Sequence, residues 1–299
     1  MKSKSDVKRI LTTTSRTAAW TCMSRAASSL EVDPYYRSDD FIAAKLIPSP
    51  VLALLRTRIG RAFFRRCLAA RGMYEYVIAR TRYMDAAFQK ALDDRFAQIV
   101  IFGAGFDTRA LRFQSVLGST QVFELDVPIT QAAKIERYRQ RGLAVPPNLK
   151  FVAIDFDKES ISEKLIQCGF RSGVRSLFIL EGILMYLVPA SVDSTFRTLE
   201  TLSVKGSLVV FDYVLTSVLR GDRTAYGEAA ITRAVDKVNE KWHFGLEPGQ
   251  IASFLSNYGF LMNDHRDARG LEQLYFADTN GAIVGHINGT HGIVTAERS

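Results

Sequence analysis

Cysteine and histidine are scarce in this chain, with three and four among 299 residues. Cys22, Cys67 and Cys168 are far apart and odd in number. They give neither the paired spacing of a zinc site nor a complete disulfide framework, and they suit a reducing compartment. The expected location is therefore cytoplasmic. His243, His265, His286 and His291 show no ligand spacing, so no metal is expected. No run of about twenty apolar residues occurs, which excludes a transmembrane helix and leaves no membrane partner expected. Basic residues are not interleaved with aromatics in the manner of a nucleic-acid surface, and no nucleic-acid partner is expected. Internal repeats and low-complexity tracts are also missing.

What is present is an ordinary globular composition, 47% apolar, in a chain long enough to bury a large core in one domain with an added lobe. The net charge of +8 is unevenly placed. Residues 1–96 hold 18 Lys/Arg against 9 Asp/Glu, and residues 97–299 hold 21 against 22. The basic excess thus precedes the sheet region and is suited to an anionic partner or to solvent. Arg65 and Arg66 are the densest part of it. Between Asp6 and Glu31 there is no acid, and residues 11–30 share the Ser, Thr, Ala and Arg content of a mitochondrial transit peptide. Ala18, Ala19, Met23, Ala26 and Ala27 nevertheless form an inward stripe, which predicts a first helix there. One or two amphipathic helices are expected over 51–70 and a longer one over 73–92, giving an all-helical N-terminal lobe over residues 1–96.

The most informative stretch is 98–126. Ile99, Val100, Ile101 and Phe102 form a short, wholly apolar run, suited to a parallel strand buried on both faces. It ends in Gly103-Ala104-Gly105. A helix-compatible segment follows over 107–113, and a second apolar strand, 122–125, ends in Asp126. Strand, glycine turn, helix, strand and acid make half of a nucleotide-binding α/β unit. A dinucleotide fingerprint needs a third glycine, and Thr108 stands in its place. Two glycines still allow a tight turn and close backbone approach to a ligand. Asp126 lies where a carboxylate accepts hydrogen bonds from ribose hydroxyls. A ligand with a ribose and no phosphate fits best, and S-adenosylmethionine is the obvious one.

The wording of this stretch, FGAGFDTRALRF followed by FELDVP, resembles the leucine carboxyl methyltransferase family of class I S-adenosylmethionine-dependent methyltransferases. A second match, Glu181-Gly182-Ile-Leu-Met-Tyr186-Leu, lies about eighty residues on. The resemblance runs from about Arg80 to the C-terminus. It implies a Rossmann-like α/β fold, with a mostly parallel seven-stranded sheet, helices on both faces and the helical N-terminal lobe as a cap. Strands are expected at 151–156, 176–180, 208–213 and 259–263, with a short final one at 293–296. Residues 216–247 interrupt the alternation and are expected to be a substrate lid within the 97–299 core.

The same resemblance implies the cofactor contacts. Gly103, Ala104 and Gly105 form the turn, and Asp126 takes the ribose. Asp155 and Phe156, at the end of the third strand, take the adenine, with Asp157 a neighbour of the same type. Arg80, with Arg82 as its alternate, clamps the methionine carboxylate, since a guanidinium offers two parallel donors. Glu181 holds the methionine amino group, and Tyr186 lines the acceptor pocket. Asp212 stands near the end of the fifth strand without an assigned role.

Methyl transfer from a sulfonium is an in-line displacement whose leaving group departs unaided, so alignment and a dry site matter most. A carboxylate acceptor needs no base, whereas a phenol or alcohol usually does. His243 is the one histidine in the expected lid and hence the candidate base. Three functions remain open. One is O-methylation of a small, anionic molecule. Another is carboxyl methylation of a protein C-terminus, and the third is a non-catalytic nucleotide-binding scaffold. The set Arg80, Gly103, Asp126, Asp155 and Glu181 argues against the last.

Overall fold

The computed structural model describes residues 16–156, 158–238 and 242–299. Residues 11–15 of the expected first helix, Asp157, and 239–241 of the expected lid lie outside the described residues. Seven strands among the described residues form one sheet: β1 (Gln98–Phe102), β2 (Gln121–Asp126), β3 (Leu149–Ala153), β4 (Ser176–Leu180), β5 (Leu208–Val214), β6 (Phe260–Arg266) and β7 (His291–Arg298). Their order is β3-β2-β1-β4-β5-β7-β6. All neighbours are parallel except at β7, which runs antiparallel to both β5 and β6.

Register explains why the motif residues meet. Phe102 of β1 sits opposite Leu125 of β2 and Leu180 of β4, and Leu180 sits opposite Phe211 of β5. The next residues along, Gly103, Asp126, Glu181 and Asp212, therefore share the carboxyl edge of the sheet. That edge, where the strand order reverses between β1 and β4, is where open α/β sheets bind ligands.

Alternate residues of each strand face opposite sides, and each side has its own core. On one side Ile99, Ile101, Ile179, Val210 and Ile293 pack with Cys22, Tyr76, Ile78, Ala79 and Met84 from the helices of the N-terminal segment. On the other, Val100, Phe102, Phe178, Leu180, Val209 and Phe211 pack with Leu165, Val192, Phe196, Leu199, Ile251 and Leu255. The N-terminal helices thus share a hydrophobic core with the sheet, and the Met73–Asp93 helix runs beneath β4 and β5.

Some elements differ from expectation. The helix after the glycine turn is one turn long, Arg109–Arg112. β3 starts and ends earlier than the apolar pattern suggests, so Asp155 and Phe156 lie beyond its end. Over 51–70, where one or two helices are expected, there are two, Ser49–Arg56 and Arg58–Phe63, followed by a π turn, Phe64–Leu68. Thr57 separates them by accepting the Gly60 amide with its hydroxyl. The short Ala268–Tyr275 helix, capped by Asp267, adds to the expected elements; Ala268, Leu271 and Tyr275 share its inward face on the first core.

Candidate active site

Gly103 and Gly105 both take left-handed backbone angles, φ 58° and 50°, where a side chain is strained. A Cβ on Gly103 would sit 3.0 Å from Ile183 Cδ1, and one on Gly105 would sit 3.1 Å from the Ala18 methyl. The turn is thus approached from β4's following loop and from the Arg16–Ser29 helix. Asp126 fastens it to β2: one carboxylate oxygen accepts the Gly105 amide at 2.5 Å and the other the Val127 amide at 2.7 Å. Burial raises the Asp126 carboxyl above its ordinary value, and these two amide bonds oppose it.

Thr108, where a third glycine would stand, has a structural use. Its hydroxyl donates to Asp40 Oδ1 at 2.6 Å and accepts from Arg112 Nε at 3.0 Å. Asp40 also pairs with Arg25 at 3.0 Å, and Arg25 Nη2 donates to the Phe106 carbonyl at 2.6 Å. These bonds lock the N-terminal helices onto the turn.

At the other end of the edge lies a buried ionic network. Arg80 Nη1 donates to Asp212 Oδ2 at 2.8 Å, and its Nε faces Glu181 Oε1 at 3.1 Å. Glu181 Oε2 is 2.8 Å from Arg109 Nη2, while Arg109 also holds Asp85 at 2.8 Å and pairs with Asp107. Burial alone would raise the Glu181 carboxyl, but the Arg109, Arg80 and Arg25 guanidiniums outweigh it and hold it below its ordinary range. Asp107 likewise falls to about 2: Arg109, Lys134 and Arg25 overcome its burial. Asp212 further accepts the Tyr76 hydroxyl at 2.9 Å and the Gly182 amide at 2.5 Å. It thereby ties the Met73–Asp93 helix, β5 and the loop after β4 together.

Arg82, the alternate to Arg80, donates instead to the Pro34 and Arg37 carbonyls at 2.6 and 2.5 Å. Asp155 pairs with Lys158 at 2.9 Å, and its amide donates to Glu159. Phe156 packs on the second core. Tyr186 ends the short 3-10 turn Leu184–Tyr186 and is half-buried. His243 is exposed, and its amide donates to the Met185 carbonyl at 2.7 Å. The two candidate acceptor-side residues are therefore neighbours.

Sequence reasoning missed several members. Arg109 was part of the matched wording but carried no role. Asp212 was visible as an acid near a strand end. His291, at the start of β7, gave no signal. Its ring lies 4.4 Å from the Tyr76 ring, and the Trp242 indole meets it edge-on at 5.5 Å. Burial, reinforced by the Arg80 charge, depresses the His291 imidazole to about 3, so it is neutral. Trp242 Nε1 is buried and has no hydrogen-bond partner among the described residues.

The strand order, the glycine turn and the acid that ends β2 define the Rossmann-like fold of class I methyltransferases. The family profile described as leucine carboxyl methyltransferase matches residues 18–200. A relative from Mycolicibacterium smegmatis, named as a candidate S-adenosyl-L-methionine-dependent methyltransferase, is 30% identical over 230 residues, which is 72% of this chain and 75% of that one. The similarly named YktD of Bacillus subtilis is 27% identical over 201 residues, 67% of this chain and 66% of that protein. In fold, the chain is similar to a DUF574 family protein from Streptomyces avermitilis, with a TM-score of 0.58 at 14% identity, over 97% of this chain and all of that one. The chain belongs to the leucine carboxyl methyltransferase family, and with it to the S-adenosylmethionine-dependent methyltransferases.

The residues present suit that cofactor. A side chain on either glycine would crowd Ile183 or Ala18, and Asp126 holds the turn through one oxygen on the Gly105 amide while the other accepts the Val127 amide. Each carboxylate oxygen has a further lone pair for a ribose hydroxyl.

Proposed function

We propose that the enzyme methylates an oxygen of a small, acidic molecule, and that the accepting group is a carboxylate. The observation that supports this reading is the state of the bases around the site. Asp126 is taken up by backbone amides, Glu181 by Arg80 and Arg109, and Asp212 by Tyr76, Arg80 and Gly182. His291 is buried, neutral and a weak base. An acceptor that arrives ionised needs no proton removed, whereas a hydroxyl does.

In this reading Gly103, Ala104 and Gly105 present backbone to the cofactor, and Asp126 takes its ribose. Asp155 and Phe156 take the adenine, Arg80 the methionine carboxylate and Glu181 its ammonium. Two Arg80 nitrogens are already engaged, and Nη2 supplies the donors for the carboxylate. When bound, S-adenosylmethionine supplies a sulfonium methyl: a new oxygen–carbon bond forms as the carbon–sulfur bond breaks and its electron pair stays on sulfur. Tyr186 and Trp242 line the acceptor side, and the buried Trp242 Nε1 donates to an acceptor oxygen. Residues 1–96 act as cap and residues 216–247 as lid. The Leu215–Leu246 bridge closes the base of that lid.

The test is incubation with labelled methyl donor and a panel of carboxylic acids, phenols and acidic peptides. Mild alkali releases methanol from esters and leaves ethers labelled. Alkali-labile product from small acids is expected, unchanged in His243→Ala. Label on nitrogen or sulfur acceptors alone would sink the proposal. Label on a phenol, lost in His243→Ala with cofactor affinity intact, would make that exposed histidine the base.

A further inference from the structure

The basic excess of the N-terminal segment divides into two sets. Arg25, Arg61 and Arg80 are buried and paired with Asp40, Glu31, and Asp212 with Glu181. Six of the others, Lys45, Arg56, Arg58, Arg65, Arg66 and Arg71, lie within residues 41–72, which contain no Asp or Glu. Within this stretch Arg56, Arg58 and Arg66 are exposed. The same short helices expose four large apolar side chains: Leu54 (48%), Ile59 (82%), Phe63 (49%) and Leu68 (56%).

These side chains form one surface. Ile59 and Phe63 are one turn apart on the Arg58–Phe63 helix and so are neighbours. Leu54 abuts that helix, since a Cβ on Gly60 would lie 2.9 Å from Leu54 Cγ. In the π turn the Ala69 amide bonds the Phe64 carbonyl, five residues back. Leu68 follows Phe63 by the five residues of one such turn. Inward-facing Phe64 anchors the surface by stacking on Trp20 at 6.3 Å. Trp20 belongs to the Arg16–Ser29 helix, whose Ala18 covers Gly105.

We infer that this face docks the enzyme reversibly on an anionic lipid bilayer. Large apolar side chains set among exposed arginines, on a stretch that contributes no acid of its own, match the acyl boundary and phosphate layer of such a surface. A second copy of the chain fits poorly, because a two-fold contact would set these like charges against one another. An acidic peptide would engage the arginines but leave the apolar row without a counterpart. A single patch of this size gives weak, reversible attachment rather than anchoring.

The experiment is co-sedimentation of the full chain with phosphatidylcholine vesicles, with and without phosphatidylglycerol, at low and raised salt. Binding is expected only with the anionic lipid and should weaken with salt. Arg58→Ala and Arg66→Ala should each lower partitioning roughly fivefold, and the double variant Ile59→Asp/Phe63→Asp at least tenfold. S-adenosylhomocysteine affinity should be unchanged in all of them. A fluorophore on exposed Cys67, in a Cys168→Ser background, reads the unaltered patch and should shift to the blue on anionic vesicles alone. Equal binding to neutral vesicles, or none to anionic ones with an unshifted label, overturns the inference. So does a dimer in sedimentation equilibrium that Ile59→Asp/Phe63→Asp dissociates, or binding of polyglutamate without binding of vesicles.

Discussion

Asp212 holds Arg80 at 2.8 Å from a position with no solvent exposure. The pair joins the Met73–Asp93 helix to the fifth strand, and Arg80 reaches Glu181 from the same seat. Removing one partner of a buried pair strands the other charge, which costs about 3–5 kcal/mol. Asp212→Ala should lose about that much in denaturant unfolding. Asp212→Asn, which keeps an acceptor for Arg80, should lose less yet still weaken S-adenosylhomocysteine binding, read by calorimetry. Full stability in Asp212→Ala would show that the pair does not hold the helix.

Gly105 and Gly118 share left-handed angles, φ 50° and 54°, but only Gly105 has a neighbour in the path of a Cβ. Alanine at either position should cost about 1–2 kcal/mol of backbone strain. Only Gly105→Ala should also lower cofactor affinity, by pushing against Ala18 and loosening the Asp126 bond. Equal affinity in the two variants would remove the close approach from the site.

Asp126→Ala deletes the acceptor for the Gly105 and Val127 amides and, in the proposed function, for the ribose. The expected loss is on the order of 2–4 kcal/mol of S-adenosylhomocysteine affinity. Unchanged titration of a folded variant would take Asp126 out of the cofactor site.

Trp242→Phe keeps the ring against His291 and removes only the unpartnered N–H. If that donor meets the acceptor, the acceptor KM should rise by roughly five- to tenfold, equivalent to about 1 kcal/mol for one hydrogen bond, with cofactor affinity unaltered. A KM identical to wild type would leave the indole a packing residue.

His291 titrates near 3 when folded and near its ordinary 6.5 when unfolded. Between those values the unfolded chain binds the extra proton, so stability is full above pH 6.5 and declines as pH falls toward 3. The slope is about 1.4 kcal/mol per pH unit for one proton. His291→Phe should remove this slope, so the stability gap between wild type and variant should shift steadily in the variant's favour from pH 6.5 to 5. A constant gap over that range would mean that His291 is accessible to protons in the folded state.

The parts of the site that are local in sequence were legible before any coordinates. A buried apolar strand, two glycines and an acid twenty residues on are properties of contiguous chain, and the register of β1 with β2 and β4 turned them into a shared edge. Strand and helix types followed from periodicity for most of the core. The departures are local: β3 ends before Asp155, and the Ala268–Tyr275 helix rests on an apolar spacing only two turns long.

The sequence by itself determined the fold class, the glycine turn and the family, because each rests on short contiguous stretches whose pattern is readable without knowing how they meet. Only the tertiary structure decided what surrounds them. Arg80, Arg109, Glu181 and Asp212 lie on four different elements, and their charges are set by mutual burial, which no spacing encodes. The same folding buries some arginines of the basic N-terminal segment against carboxylates and leaves others outside, next to exposed isoleucine and phenylalanine. Composition counts those arginines alike; solvent access and the distance to the nearest acid separate them.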